Sequence, residues 1–299
     1  MTSKPRATYG GQAVLEGVMI RGERCAAVAV RRPDGEISLR TFEIGSVYSG
    51  VLRRIPLIRG ILVLAETLTL GMRALTHSAS VAVGSESEEL GKASVAGVVT
   101  FSLVFAVGLF FLVPVFASKG LDSLFGSDLL SNIMEGVIRL AIFLVYIALI
   151  SRMNEIRRVF MYHGAEHMTV HALEKGDPLE VKEVRKYTTA HPRCGTAFLL
   201  TVMFVAIIVF VFTGREPFWW LIASRVIFIP LIAAASYEVI RFSGMHSSNV
   251  FMRALAIPGL LLQKLTTREP DDDQIEVAIA AMELAIQTDN ERRTTAVAS

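Results

Sequence analysis

Between Val95 and Phe116 the chain carries no charged residue. A helix of that length crosses the ~30 Å hydrocarbon core of a bilayer, and no soluble fold has an easy use for it. Three more apolar runs follow. Ile133–Ile150 is weakened near its start by Glu135 and Arg139, Thr196–Phe212 is charge-free but short, and Phe218–Ile240 opens with Trp219 and Trp220. Tryptophan favours the headgroup interface. Composition agrees: 52% of residues are hydrophobic and 19% charged, against about 25% charged in a soluble domain. A formal net charge of +2 and two distant cysteines, Cys25 and Cys194, exclude charge-driven nucleic-acid binding and a disulfide scaffold. The expected fold is mainly α: a polytopic membrane protein with about four transmembrane helices, the bilayer being its one evident partner.

Orientation is read from Lys and Arg in the connections. The Lys119–Asn132 connection holds one Lys, and Thr213–Pro217 only Arg215. By contrast, 151–195 holds Arg152, Arg157, Arg158, Lys175, Lys182, Arg185, Lys186 and Arg193. The positive-inside rule places that segment and both termini in the cytoplasm, where thiols stay reduced. No signal peptide is expected, since the first residues lack an apolar core.

Three regions follow: 1–94 and 241–299 as cytoplasmic parts, and 95–240 as a membrane domain with a His-rich loop at 151–195. In the first, Val18–Ile20 and Cys25–Val30 are strand-like, and Arg32-Pro33-Asp34-Gly35 is a turn before a returning strand at Ile37–Ile44, a small β-hairpin region. Residues 55–75 read as an amphipathic helix lying in the interface, with a re-entrant or spanning segment as the alternative. In the tail, Val250–Leu265 reads as a second interfacial helix broken at Pro258-Gly259. Asp271-Asp272-Asp273 then opens a helix running to about Ile286. Aspartates at a helix start are explained by capping and the helix dipole, with a metal-binding acidic triplet as the sharper alternative. Beyond Asn290 the chain is expected to fray.

The reactive residues sit in the central loop. His163-Gly164-Ala165-Glu166-His167 is an H-x-x-E-H pattern, the one that marks inverted zincins. On a helix, His163, His167 and His171 share one face, and two imidazoles one turn apart can bind a divalent cation. Glu166 is placed to take a proton from water there. Further on, His191-Pro192-Arg193-Cys194-Gly195 adds an imidazole and a thiol. The candidate metal ligands are therefore His163 and His167 with one of His191 or Cys194 completing the set, with zinc the best-suited metal and iron or manganese as alternatives. His171 is either a third imidazole ligand or merely exposed. A hydrogen-bonded polar cluster is the bland alternative. Arg225 and Glu238 fall inside the fourth run, where an ionisable side chain is a functional candidate. Arg225 could snorkel, and Glu238 could be a ligand, an orienting partner of an imidazole, or an interfacial acid. Pro230 should kink this run.

Gly10-Gly11-Gln12-Ala13-Val14-Leu15-Glu16-Gly17-Val18-Met19-Ile20-Arg21-Gly22, Tyr162–His167, His191–Thr196, Ser236-Tyr237-Glu238 and Thr266–Asp272 together resemble the motifs of the YqhQ-like bacterial membrane proteins, domain-of-unknown-function family 1385. The resemblance covers roughly residues 8 to 286. Met168 departs from it, standing where Lys is expected. It implies a multi-pass protein of the bacterial cytoplasmic membrane, described as a metal-dependent enzyme. It also adds Gln12, Glu16 and Arg21 to the site candidates. From the residues alone, the glycine-rich segment reads as a turn-rich lead-in to the hairpin.

The leading expectation is a metal-dependent membrane enzyme, a hydrolase of a lipid-linked or peptide bond. Glu166 would act as its base, and Arg193 or Arg225 would bind an anionic group. A small transporter using the same residues as a transit site, or a scaffold docking other membrane proteins, are the alternatives.

Overall fold

The computed structural model describes residues 9–45, 54–84, 92–192, 194–245 and 249–298. Arg193 lies outside them. The chain is mainly helical, with one small antiparallel sheet.

The sheet is a four-stranded meander in the order β1-β2-β3-β4: β1 Gly10–Val14, β2 Gly17–Arg21, β3 Cys25–Arg31 and β4 Ile37–Glu43. The glycine-rich segment read as a lead-in is thus a strand, paired through a two-residue turn, Leu15-Glu16, with Gly10 opposite Arg21. Period-2 alternation sends Val18, Ile20, Ala27 and Ala29 to one face, and Val14, Met19, Ala26, Val28 and Val30 to the other. Both faces are covered, which is why β3 is built from small apolar residues along its length. On the second face lies α1 (Ile58–Ala82), packing Leu70, Ala74 and Val81 onto the strands. Its outer side exposes Ile61, Leu68, Met72 and Leu75.

The apolar layer begins with α2 (Lys92–Val107), which continues through a π-turn at Gly108–Leu112 into α3 (Val113–Gly120). Pro114 has no N–H to give the carbonyl four residues back, that of Phe110. Arg139 Nε donates to that oxygen instead, at 3.0 Å. After the single turn α4 (Asp122–Phe125) comes α5 (Asp128–Ile150), capped by Ser127 Oγ on Leu130 N–H. Then follow α6 (Asn154–Lys175), the short α7 (Val181–Val184), α8 (Thr196–Val211), α9 (Phe218–Ile227) and α10 (Ile229–Met245). The helix breaks at Phe228, two residues before Pro230, with a bend of 44°. Val95–Gly120 and Asp128–Ile150 are long and apolar enough to cross a membrane, and the bent α9–α10 pair makes up to three. Phe101, Leu103 and Val104 of α2 face outward with over 60% exposure, an arrangement that suits lipid and not water. The chain is therefore membrane-associated.

α11 (Val250–Thr266) runs unbroken through Pro258 and Gly259, where a break was expected. Gly259 instead lets α8 cross closely: a Cβ there would stand 2.7 Å from Ala197 Cβ. α12 (Asp272–Ala298) extends well past Ile286. Its start is a reciprocal cap in which Gln274 N–H donates to Asp271 Oδ1 and Asp271 N–H to Gln274 Oε1. Asp272 pairs with Arg185. Capping and pairing thus occupy Asp271 and Asp272 of the acidic triplet. Ile275, Ala278, Ala281, Met282 and Ala285 of α12 bury against the first face of the sheet, together with Tyr162, Ala165 and Met168 of α6. The N-terminal sheet, the His-rich helix and the tail helix pack as one unit around this core.

Candidate metal centre

Helix α6 brings His163, Glu166, His167 and Val170 to a cavity of about 400 Å³. Its opposite wall is made by Gly10, Gly11 and Gln12 of β1, by Met19 and Arg21 of β2, and by Val63, Thr67 and Leu70 of α1. Cys194 and His191 close it from the loop before α8.

One ligand atom from each of His163, His167 and Cys194 lies within 4.8 Å of the others. Cys194 Sγ is 3.3 Å from His163 Nε2. With bond lengths of about 2.0–2.1 Å to nitrogen and 2.3 Å to sulfur, the edge of a tetrahedral zinc site is roughly 3.4–3.5 Å. The three side chains therefore fit a cation after small adjustments. The second hydrogen bonds of the imidazoles fix which nitrogen is free. His163 Nδ1 bonds the carbonyl of Thr266 at 2.8 Å, and His167 Nδ1 bonds that of Thr189 at 2.6 Å. A carbonyl only accepts, so each Nδ1 holds the proton and each Nε2 presents its lone pair.

Glu166 is buried, and its carboxylate accepts from Gly11 N–H at 3.0 Å. Burial raises its pKa to about 7, against the lowering pull of His163 and of that N–H. Its Oε2 lies 3.5 Å from His167 Nε2. The glycine-rich strand therefore reaches the His cluster directly, and Gln12 and Arg21 line the cavity. Arg21 is held by Glu66 of α1, with Nε to Oε1 at 2.7 Å. Glu16 does not join them. It sits in the β1–β2 turn and pairs with Arg158, with Nη2 to Oε2 at 2.5 Å.

Of the two candidates for the third position, Cys194 joins His163 and His167, and His191 groups with His171 instead. His191 does not belong to the three-ligand set. It forms a second cluster with His171 and Glu174, again with one ligand atom each within 4.8 Å. Burial, then the nearby His171 and His167, push its pKa down to about 3. Its backbone is locked by Gln263 of α11, whose Oε1 accepts from His191 N–H at 2.8 Å while Nε2 donates to His191 O at 2.9 Å. His171 is half-buried, not exposed, and stacks on Tyr187 with the rings 14° from parallel.

Arg225 and Glu238 lie elsewhere. Arg225 is 1% exposed and donates through Nη2 to Glu135 Oε2 at 2.7 Å and to Asn132 Oδ1 at 2.8 Å. Arg215 and Arg139 bind the same carboxylate at 3.1 and 2.7 Å. This network surrounds Phe210, at the far end of α8 from Cys194, so Arg225 does not reach the cavity. Nor does it snorkel: it is buried in an ion network. Glu238 of α10 binds Arg59 of α1 through both carboxylate oxygens and does not line the cavity.

Glu174, Gln263 and the Thr189 and Thr266 carbonyls went unread in the sequence. Glu174 stands three residues after His171, a helical spacing that marks a shared face. Gln263 is the lone amide in Leu260–Leu265.

The family model for a protein of unknown function, DUF1385, matches residues 55–288. The chain belongs to this family. It is also 34% identical over 288 residues to the uncharacterized protein YqhQ of Bacillus subtilis (strain 168), covering 91% of this chain and 90% of that one. No solved structure matches the chain.

Proposed function

We propose that this chain is a metal-dependent enzyme of the bacterial cytoplasmic membrane, with its site at the cytoplasmic boundary of a four-span bundle formed by α2–α3, α5, α8 and α9–α10. The observation that carries the reading is the convergence of one ligand atom each from His163, His167 and Cys194 beside a buried carboxylate in one cavity. The positive-inside bias of 151–195 supports the orientation, and the apolar outer side of α1 supports its lying in the interface.

The three side chains would hold a zinc ion, which supplies Lewis acidity to a carbonyl or phosphoryl group. Glu166 takes the proton from the attacking water and returns it to the leaving group, a role suited to a carboxyl that titrates near neutrality. Arg21 is the described cation lining the cavity, and it receives an anionic substrate group while Glu66 keeps it oriented. Hydrolysis of a lipid-linked or peptide bond suits such parts. A transit path would need polar continuity between this site and the Arg225 network. Phe143 and Ile147 of α5, Leu200 of α8 and Leu262 of α11 pack as an apolar layer between the two, which favours the enzyme.

The test is metal content after purification in mild detergent. The wild type should carry zinc, with His163→Ala and Cys194→Ser each losing the ion bound at this cavity. Glu166→Gln should keep its zinc and lose hydrolytic turnover of the substrate that a screen yields. A cavity that takes up no zinc, iron or manganese on reloading overturns the proposal.

A further inference from the structure

We propose that His171, Glu174 and His191 form a second divalent-cation site, distinct from the His163–His167–Cys194 set and coupled to it through the backbone of residues 189–191. No residue is common to the two sets. Glu174 follows His171 by three residues on α6, so both project from one face. His191 arrives from the loop, buried and anchored through its backbone by Gln263. His191 Nε2 lies 3.4 Å from Glu174 Oε1. The ring of His171 is fixed on both sides: it stacks on Tyr187, and its Nε2 bonds the carbonyl of Ala190 at 2.9 Å. That bond places the proton on Nε2 and the lone pair on Nδ1.

Two imidazoles and one carboxylate are a donor set for zinc and for other divalent transition metals, with one position left for water. The site differs from the first in two ways. It contains no sulfur, and of its three side chains only His191 lines the cavity. Glu174 is 35% exposed on its side chain, so a cation reaches it from solvent without passing through the cavity. Substrate chemistry is therefore not its task.

Its position gives it another. Thr189 O orients His167, Ala190 O orients His171, and His191 is a ligand, so three successive residues tie the loop to α6. A cation joining His191 to His171 and Glu174 clamps this segment and fixes the carbonyl that holds His167 in its ligating orientation. The coupling rests on the metal reading of the first set. The second site does not.

The experiment is equilibrium dialysis of the full chain in detergent, stripped with chelator and then titrated with zinc, with cobalt(II) absorption as a second readout. The expected result is two zinc ions per chain in the wild type, one in Glu174→Gln and in His171→Asn, and one in Cys194→Ser. The sulfur-to-cobalt charge-transfer band should persist in Glu174→Gln and vanish in Cys194→Ser. Glu174→Gln should also weaken zinc at the sulfur site by roughly tenfold, the scale of a lost outer-shell partner; an unchanged affinity overturns the coupling. If Glu174→Gln and His171→Asn both bind as much zinc as the wild type, the second site is overturned. If Cys194→Ser binds as much as the wild type while Glu174→Gln loses an ion, the second site stands and the first reading fails.

Discussion

Cys25 and Cys194 are both buried thiols, in opposite chemical settings. Cys25 begins β3 beneath α12, with Sγ 3.7 Å from Ala285 O and 3.6 Å from Asp289 Oδ1. Burial, and then Asp289, raise its pKa to about 12. Cys194 lines the cavity and faces His163. A small alkylating reagent at pH 8 should therefore modify Cys194 in the folded protein and Cys25 only after denaturation, as read by mass spectrometry of the peptides. Zinc should slow modification of Cys194 at least tenfold and leave Cys25 unaffected. Modification of Cys194 at one rate with and without zinc would speak against its being a ligand. These residues also show what could be read in advance. His163, His167 and Glu166 were legible because helical spacing alone puts them on one face. Cys194 was a candidate only by being nearby, and the grouping of His191 with His171 and Glu174 rather than with His163 and His167 was not legible, because the loop path, set by Gln263 from a distant helix, leaves no local trace. Arg225 was visible as an intramembrane charge, but its partner Glu135 lies 90 residues away in sequence.

At the level of elements, α12 continues as helix past Asn290, where fraying was expected, and it is tied to the sheet just before that point. Asp289, 2% exposed, accepts from Glu23 N–H at 2.7 Å and from Arg24 N–H at 2.9 Å. Its carboxylate thereby satisfies the backbone of the β2–β3 turn. Asp289→Ala should cost about 1–3 kcal/mol, the desolvation of buried donors left without a partner, seen as a lower unfolding midpoint with zinc binding retained. Deleting residues 271–286 removes the layer covering one sheet face, so loss of function on that deletion would not reveal a docking surface. Strand β1 escaped the residue-level reading because two glycines and a glutamine have low strand propensity. Pairing with β2 and the bond from Gly11 to Glu166 hold it in place. The crossing of α6 under the α11–α12 link is equally tight: a Cβ on Gly164 would stand 2.2 Å from Arg268 O. Gly164→Ala should push that link off α6, carrying Thr266 O away from His163. The expected result is a loss of about 1–3 kcal/mol in stability, accompanied by weaker zinc binding in equilibrium dialysis.

For the whole molecule, the polar centres are separated by the apolar layer, and each should fail independently. Glu135 is the buried carboxylate on which Arg139, Arg215 and Arg225 converge. Glu135→Leu strands these cations and should cost about 3–5 kcal/mol, measured by thermal unfolding in detergent, while the folded fraction keeps its zinc. Orientation is testable by labelling, because between Ser123 and Lys175, both exposed, only α5 is long and apolar enough to cross. In a Cys194→Ser background, Ser123→Cys should react with a membrane-impermeant maleimide in intact cells, and Lys175→Cys only after lysis. Equal reactivity at both positions would mean that α5 does not cross. The reverse pattern would invert the molecule, and with it the site. Lys175 ends the helix that carries His163, Glu166 and His167, and α6 packs with the sheet and α12 into one unit. The side of the membrane on which Lys175→Cys is found is therefore the side on which the proposed metal centre lies.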